Sequence, residues 1–326
     1  MKIKAERILG DLSYIQREVA KIHLNPEKHG IKREVIIKEG DQKSVKDYTN
    51  AVDRAVETRE RKFLLERYPK VGFLGEETEG RGATKRYRWI VDPTDGTAVF
   101  TTGGDYYSNV IALADRESEE VPIISVYQPV TGRQFIKLGS DIWVSEEIML
   151  RDGTTQTIER IPKPSQTKGM PELMGCSFGT SKYYPELPGV KEAVEAVFAK
   201  ERHHVLQRDY GIINARPASG SSAMFCCDIA DGNRHFAVLY AQKTWDLTGM
   251  LIAEKAGCLV QCGPSYRGMQ DNKLEMVFAN GTVQDISGGN LEAQIATCDK
   301  KTLINAAVFA NPHVRDIVIK KLGIAA

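Results

Sequence analysis

The chain has 326 residues, with 44 basic and 43 acidic side chains and a formal net charge of +1. That length can bury a sizeable core in one large domain or two, and so balanced a charge projects no field toward a nucleic acid polymer or an anionic membrane. No apolar stretch is long enough to span a bilayer and residues 1–10 are charged rather than signal-like, so a soluble, cytoplasmic protein is expected.

Helical spacing of Ile8, Leu12, Ile15, Val19 and Ile22 predicts a helix over 3–22, and Val52, Val56, Phe63 and Leu64 predict a second over 50–67. Between them, 38–46 is polar and reads as a loop near a site. Short strands at 71–74 and 88–91 deliver Glu76 and Asp92. Strands at 106–114, 122–127, 133–138 and 141–144 follow, separated by Pro and Gly turns. The polar, Pro-interrupted segment 151–171 reads as a linker or insertion. Beyond it the pattern predicts a strand at 174–178, helices at 190–200 and 221–231, a strand at 235–240, a helix at 244–256, strands at 276–279 and 305–309, and a last helix at 312–322. Segments 263–273 and 282–300 read as polar insertions. The chain thus divides into an N-terminal α+β half, 1–165, and a C-terminal α/β half, 166–326.

The run Trp89-Ile90-Val91-Asp92-Pro93-Thr94-Asp95-Gly96-Thr97 is strand-like and broken by two carboxylates, with Glu76 and Glu77 upstream and Trp245-Asp246 far downstream. Pro93 fixes its own φ and pushes Asp92 toward extended geometry, while Gly96 permits a sharp turn. A strand ending this way directs two carboxylates and the Thr94 carbonyl toward one point. Oxygen ligands of that kind suit Mg²⁺ or Mn²⁺ rather than zinc. The amides of Gly96 and Thr97, if they open a helix, face the same point and can bind a phosphate oxygen. Cations and anion-binding amides in one small site are what phosphoryl transfer to water requires.

Taken alone, Asp-Pro-x-Asp-Gly is also what a solvated turn looks like. An EF-hand loop starting at Asp92 would need a glycine where Thr97 stands and a glutamate where Gly103 stands. A phospho-aspartate mechanism built on Asp-x-Asp-Gly-Thr is disfavoured by the extra residue between Asp92 and Asp95. Of six cysteines, Cys176, Cys226 and Cys227 lie in apolar runs and are expected as reduced, buried thiols. Cys258 and Cys262 have no second Cys or His pair at ligand spacing, so no zinc site is expected. His203-His204 close a charged helical stretch, and the scattered remaining histidines offer no His-centred mechanism.

Five segments in order resemble the inositol monophosphatase superfamily: Thr49 to Glu57, Gly75-Glu76-Glu77, Asp92 to Thr97, Ser219 to Ala223, and Trp245-Asp246. The resemblance implies a layered αβαβα sandwich of the α+β class with a metal site between the halves. It also assigns roles. Glu76, Asp92 and the Thr94 carbonyl would hold a first Mg²⁺, and Asp92, Asp95 and Asp246 a second, with a third, weaker ion near Glu76 on the Asp53 side. Thr97 and Asp53 would orient and deprotonate the attacking water. Gly96 and Thr97 would bind phosphate, and Gly220, Ser221 and Lys243 would face the substrate. Lithium sensitivity and a homodimer are expected.

Three departures from the family pattern stand out. Leu239, seven residues before Asp246, occupies the place of a glutamate that contacts substrate hydroxyls in inositol-cleaving members, which argues against inositol itself. The segment after Asp246 is one residue shorter than usual, and Val99 replaces an asparagine. The expected ligand is therefore a small phosphorylated metabolite. A phosphomonoesterase acting on a polyol or sugar phosphate, a 3′(2′),5′-bisphosphate nucleotidase or fructose-1,6-bisphosphatase, and an inactive regulatory homologue all remain as readings.

Overall fold

The computed structural model describes residues 5–32, 35–38, 47–82, 84–149, 154–166, 178–179, 217–218, 220–262, 275–278, 283–285, 291–297 and 302–316. Helix α1 (Ala5–Leu24) buries Ile8, Leu12, Ile15, Val19 and Ile22 on one face, as its apolar spacing dictates. A short antiparallel pair, β1 (Val35–Lys38) and β2 (Asp47–Asn50), leads into α2 (Ala51–Arg67). Helix α2 is unusual in burying Asp53, Glu57 and Glu60 beside Val52, Val56 and Leu64.

Seven strands then form one sheet: β3 (Gly72–Gly75), β4 (Tyr87–Asp95), β5 (Ser108–Asp115), β6 (Glu120–Tyr127), β7 (Gln134–Leu138), β8 (Asp141–Met149) and β9 (Thr155–Arg160), in sequence order. Only β3 and β4 pair in parallel; the rest are antiparallel. A five-residue helix, α3 (Thr97–Thr101), joins β4 to β5. Alternation along the strands covers both faces. Trp89, Val91, Ile111, Leu113 and Ile123 join the core under α1 and α2, whereas Ile90, Val110, Ala112, Ile124 and Val126 join a larger core on the opposite side.

That larger core is shared between the seven-stranded sheet and the elements that follow it. Strands β10 (Phe178–Gly179) and β11 (Pro217–Ala218) pair in parallel ahead of α4 (Ser222–Ala230). There follow β12 (Phe236–Lys243), α5 (Thr248–Lys255), β13 (Leu259–Cys262), β14 (Glu275–Phe278), β15 (Val283–Asp285), α6 (Leu291–Thr297) and β16 (Thr302–Phe309). Strand β16 is the spine of the second sheet, pairing antiparallel with β12, β13 and β14. Helices α4, α5 and α6 contribute to the same core as β5, β6, β12 and β16. Helix, sheet, helix and sheet layers therefore succeed one another, the α+β layering implied by the resemblance. Helices α4 and α5 cross closely at Gly249, where a Cβ would stand 2.3 Å from the Ala223 carbonyl oxygen.

Several elements differ from those expected. Segment 151–171 contains β9, an edge strand whose six residues are all exposed, so no apolar alternation marked it. Segment 282–300 contains β15 and α6; Leu291, Ile295 and Ala296 suffice to bury one face of α6, and Glu292 accepts from the Val121 amide at 2.9 Å and Lys137 Nζ at 2.8 Å. Strand β12 runs on to Lys243, so the following helix starts at Thr248 rather than 244. Residues 312–316 are helical as expected. Cys226, Cys227 and Cys258 are buried thiols. The expected helix at 190–200, the loop at 39–46, the insertion at 263–273, Cys176 and His203-His204 lie outside the described residues. No helix among the described residues is long and apolar enough to cross a membrane.

Candidate active site

The site is built around an irregularity in β4. Asp92 pairs with Val110 and Asp95 with Ser108, so Pro93 and Thr94 together oppose the single residue Asn109 of β5. Proline has no amide for the ladder, which favours a bulge here. Side chains replace the missing ladder bonds. Asn109 Nδ2 donates toward the carbonyls of Pro93 (3.2 Å) and Asp92 (3.4 Å) and to Glu60 Oε1 (2.7 Å). His23 Nε2 lies 3.1 Å from the Pro93 carbonyl and 3.0 Å from Thr94 Oγ1. The Thr94 amide donates to Asp92 Oδ1 at 2.9 Å, and Thr97 Oγ1 donates to the Thr94 carbonyl at 2.9 Å.

Asp95 leaves the strand at the start of α4. Its Oδ2 accepts from Ser221 Oγ (2.5 Å) and the Ala223 amide (2.8 Å), and its Oδ1 from the Ser222 amide (3.0 Å). Ser221 is also the N-cap of α4, accepting from the Met224 amide, and its hydroxyl lies 2.8 Å from that of Ser108. Gly96 makes this approach possible. It sits at φ +95°, and a Cβ there would meet the Ser221 nitrogen at 2.8 Å. Gly220 and Ser221, expected to face substrate, therefore pack against Gly96 and Tyr106, with the Ser221 amide on the Tyr106 carbonyl, and Ser221 is wholly buried. Ser221 holds Asp95 through its hydroxyl.

Strand β3 delivers Glu76, whose amide bonds the Val91 carbonyl. The next two amides, of Glu77 and Thr78, bond the buried Glu57 carboxylate at 2.6 and 2.7 Å, so α2 fixes the loop that carries Glu76. Asp246 stands between β12 and α5, and its Oδ2 accepts from the Lys243 amide at 3.0 Å. The Lys243 ammonium lies 5.8 Å from the Trp245 ring centroid. Ligand oxygens of Asp92, Asp95 and Asp246 all lie within 4.8 Å of one another, joining residues that are far apart in sequence. Glu76 shares a hydrogen bond with Asp92.

So many acids in a dry place do not ionise freely. Burial, then repulsion from Glu76, Asp95 and Asp246, pushes Asp92 well above the usual carboxylate range. Burial, then Asp95 and Glu76, does the same to Asp246. Burial raises Asp95 to about 6 despite its hydrogen bonds from α4. Like charges held this close call for a compensating cation. The cluster offers carboxylate oxygen alone, with no thiolate or imidazole, and so fits Mg²⁺ or Mn²⁺. Asp53, in the first turn of α2, is buried.

Leu239 is not at a substrate-facing edge. It is 1% exposed, lies in the larger core and pairs with Ala306. Gln242 then pairs with Ile304, so three steps along β12 match two along β16. A count back from Asp246 crosses this bulge, which reverses the face a residue takes. Sequence reasoning also passed over His23, Glu57, Glu60 and Asn109. The available signal was the acidic stripe Asp53, Glu57 and Glu60, placed at helical spacing among apolar residues that have to be buried.

A profile of the inositol monophosphatase family matches residues 12–318. The chain is 28% identical over 233 residues to the Nus factor SuhB of Haemophilus influenzae, covering 70% of this chain and 78% of that protein. It is 24% identical over 220 residues to the fructose-1,6-bisphosphatase/inositol-1-monophosphatase of Aquifex aeolicus, covering 67% and 73%. The extragenic suppressor protein suhB of Bartonella henselae shares the fold, with a TM-score of 0.62 at 21% identity and coverage of 97% and 98%. With its carboxylate motifs in family order and a match over nearly its whole length, the chain belongs to the inositol monophosphatase family.

Proposed function

We propose that this chain is a Mg²⁺-dependent phosphomonoesterase acting on a small polyol, sugar or nucleotide phosphate. The observation that carries the proposal is the convergence of Asp92, Asp95 and Asp246 within 4.8 Å, each with its pKa raised by burial. Glu76, Asp92, the Thr94 carbonyl, Asp95 and Asp246 would hold two ions, and Asp53 would lie toward a third. When bound, Mg²⁺ acidifies the attacking water and neutralises charge on the leaving oxygen. The chain supplies the rest. Helix α4 and Ser221 hold Asp95 in place, and Lys243 positions Asp246 through its amide. The Thr97 hydroxyl, which donates to the Thr94 carbonyl in this structure, would turn to the attacking water and pass a proton toward Asp53. The amides of Gly96 and Thr97 would donate to a phosphate oxygen, and Lys243 supplies a cation beside the leaving group. No covalent intermediate is required. Millimolar lithium sensitivity and a homodimer belong to this reading.

Leu239 no longer discriminates among substrates, because its side chain belongs to the core. The Aquifex relative, whose name joins two activities, favours breadth across sugar and polyol phosphates. A second reading, regulatory action without turnover, draws on the Nus factor name of the Haemophilus relative. The test is phosphate release from inositol-1-phosphate, fructose-1,6-bisphosphate and adenosine 3′,5′-bisphosphate, each with Mg²⁺ and with EDTA. Mg²⁺-dependent kcat/KM on at least one supports the first reading, and none on any of the three turns the assignment to the second.

A further inference from the structure

The ligand-bearing bulge of β4 is held from behind by side chains that never reach the carboxylate cluster. His23, from the last turn of α1, is wholly buried. Its Nε2 lies 3.1 Å from the Pro93 carbonyl and 3.0 Å from Thr94 Oγ1, so one ring nitrogen faces both residues inside the bulge. Packing against Phe100 and Tyr107, with ring centroids 5.6 Å away in each case, fixes the imidazole plane. Asn109 holds the other side of the bulge through the Asp92 and Pro93 carbonyls. Asn109 is in turn fixed by Glu60 Oε1 at 2.7 Å and by Gln16, whose Nε2 donates to the Asn109 carbonyl at 3.3 Å. All four of these residues are buried. Their bonds determine how the peptide planes between Asp92 and Asp95 are turned, and hence where the Thr94 carbonyl and the two carboxylates point.

We propose that His23 and Asn109 are positioning residues for the metal centre, setting the Asp92–Asp95 bulge in the geometry that binds a divalent cation. The inference rests on the metal-dependent reading of the site. Residues one contact removed from metal ligands typically affect metal affinity by about 10–100-fold. The informative changes are His23→Phe, which keeps the ring packing and loses the polar nitrogen, His23→Gln, which keeps a side chain able both to donate and to accept, and Asn109→Ser, which shortens the second brace. Each full-length protein, stripped of metal, would be titrated with Mn²⁺ by calorimetry and melted in parallel. Wild type should bind Mn²⁺. His23→Phe and Asn109→Ser should bind about 10-fold or more weakly while still melting cooperatively, and His23→Gln should recover most of the affinity. Native affinity in folded His23→Phe or Asn109→Ser overturns the proposal. Failure of both to fold, or His23→Gln as weak as His23→Phe, assigns these bonds to folding alone and also overturns it. Absence of Mn²⁺ binding by wild type would instead remove the metal reading itself.

Discussion

Replacing Asp95 by asparagine separates two jobs of one side chain. Both carboxylate oxygens are engaged at the start of α4, Oδ2 by Ser221 Oγ and the Ala223 amide and Oδ1 by the Ser222 amide. An amide oxygen can take only one of those places. At least one donor is orphaned, at about 1–3 kcal/mol whatever the pH. Against this stands the penalty that the wild type bears on ionising Asp95. Burial is the largest cause of the rise from 3.8 to about 6, with bonds from Ser221, Ala223 and Ser222 opposing it. A carboxyl whose folded pKa is raised contributes stability below its unfolded value and loses it as pH climbs through the folded one. The rise corresponds to about 3 kcal/mol at pH 8, of which about half is already lost at pH 5. The asparagine side chain does not titrate, so metal-free D95N should gain about 1.5 kcal/mol relative to wild type between those two pH values. Urea unfolding in EDTA at pH 5 and pH 8 measures this difference. With Mg²⁺ present, phosphate release by D95N should fall by two orders of magnitude or more. A stability difference that stays flat between the two pH values, or near-native turnover, would mean that Asp95 neither titrates in this buried place nor serves the reaction.

Thr97→Ala should lower kcat by about 10²–10⁴-fold and Thr97→Ser should restore it; a normal kcat with a lowered melting temperature would reduce Thr97 to its bond with the Thr94 carbonyl. Leu239→Ala should cost about 2–5 kcal/mol in a chemical melt and leave the ranking of substrates by kcat/KM unchanged, and a new ranking would contradict its place in the core. Mg²⁺ should raise the melting temperature more at pH 8 than at pH 5.5, because Asp95, raised to about 6, ionises over that range beside Asp92 and Asp246 and adds a charge that a cation offsets. Equal metal stabilisation at both would contradict the electrostatic description.

What could be read from the sequence was local. Asp92, Asp95 and Gly96 lie within five residues, and proline and glycine chemistry orients them with no knowledge of the rest of the chain. The helical periods of α1 and α2 were legible because each hides one apolar stripe. Asp246 gained its ligand role only through the family resemblance, since nothing near Trp245 announces a partner so far upstream. His23 and Asn109 were invisible for the same reason, as their bonds to the bulge span 70 and 16 residues. Leu239 was misplaced by the bulge in β12, which no composition signal marks. Helix α6 and strand β9 escaped notice because one buries only three residues and the other none.

On this reading the three aspartates form a divalent cation site. Anomalous diffraction from a crystal of the protein loaded with Mn²⁺ tests it most directly. A peak is expected among the carboxylate oxygens of Asp92, Asp95 and Asp246, together with a second bounded by Glu76, Asp92 and the Thr94 carbonyl. Anomalous density elsewhere, with none between the aspartates at saturating Mn²⁺, would contradict it.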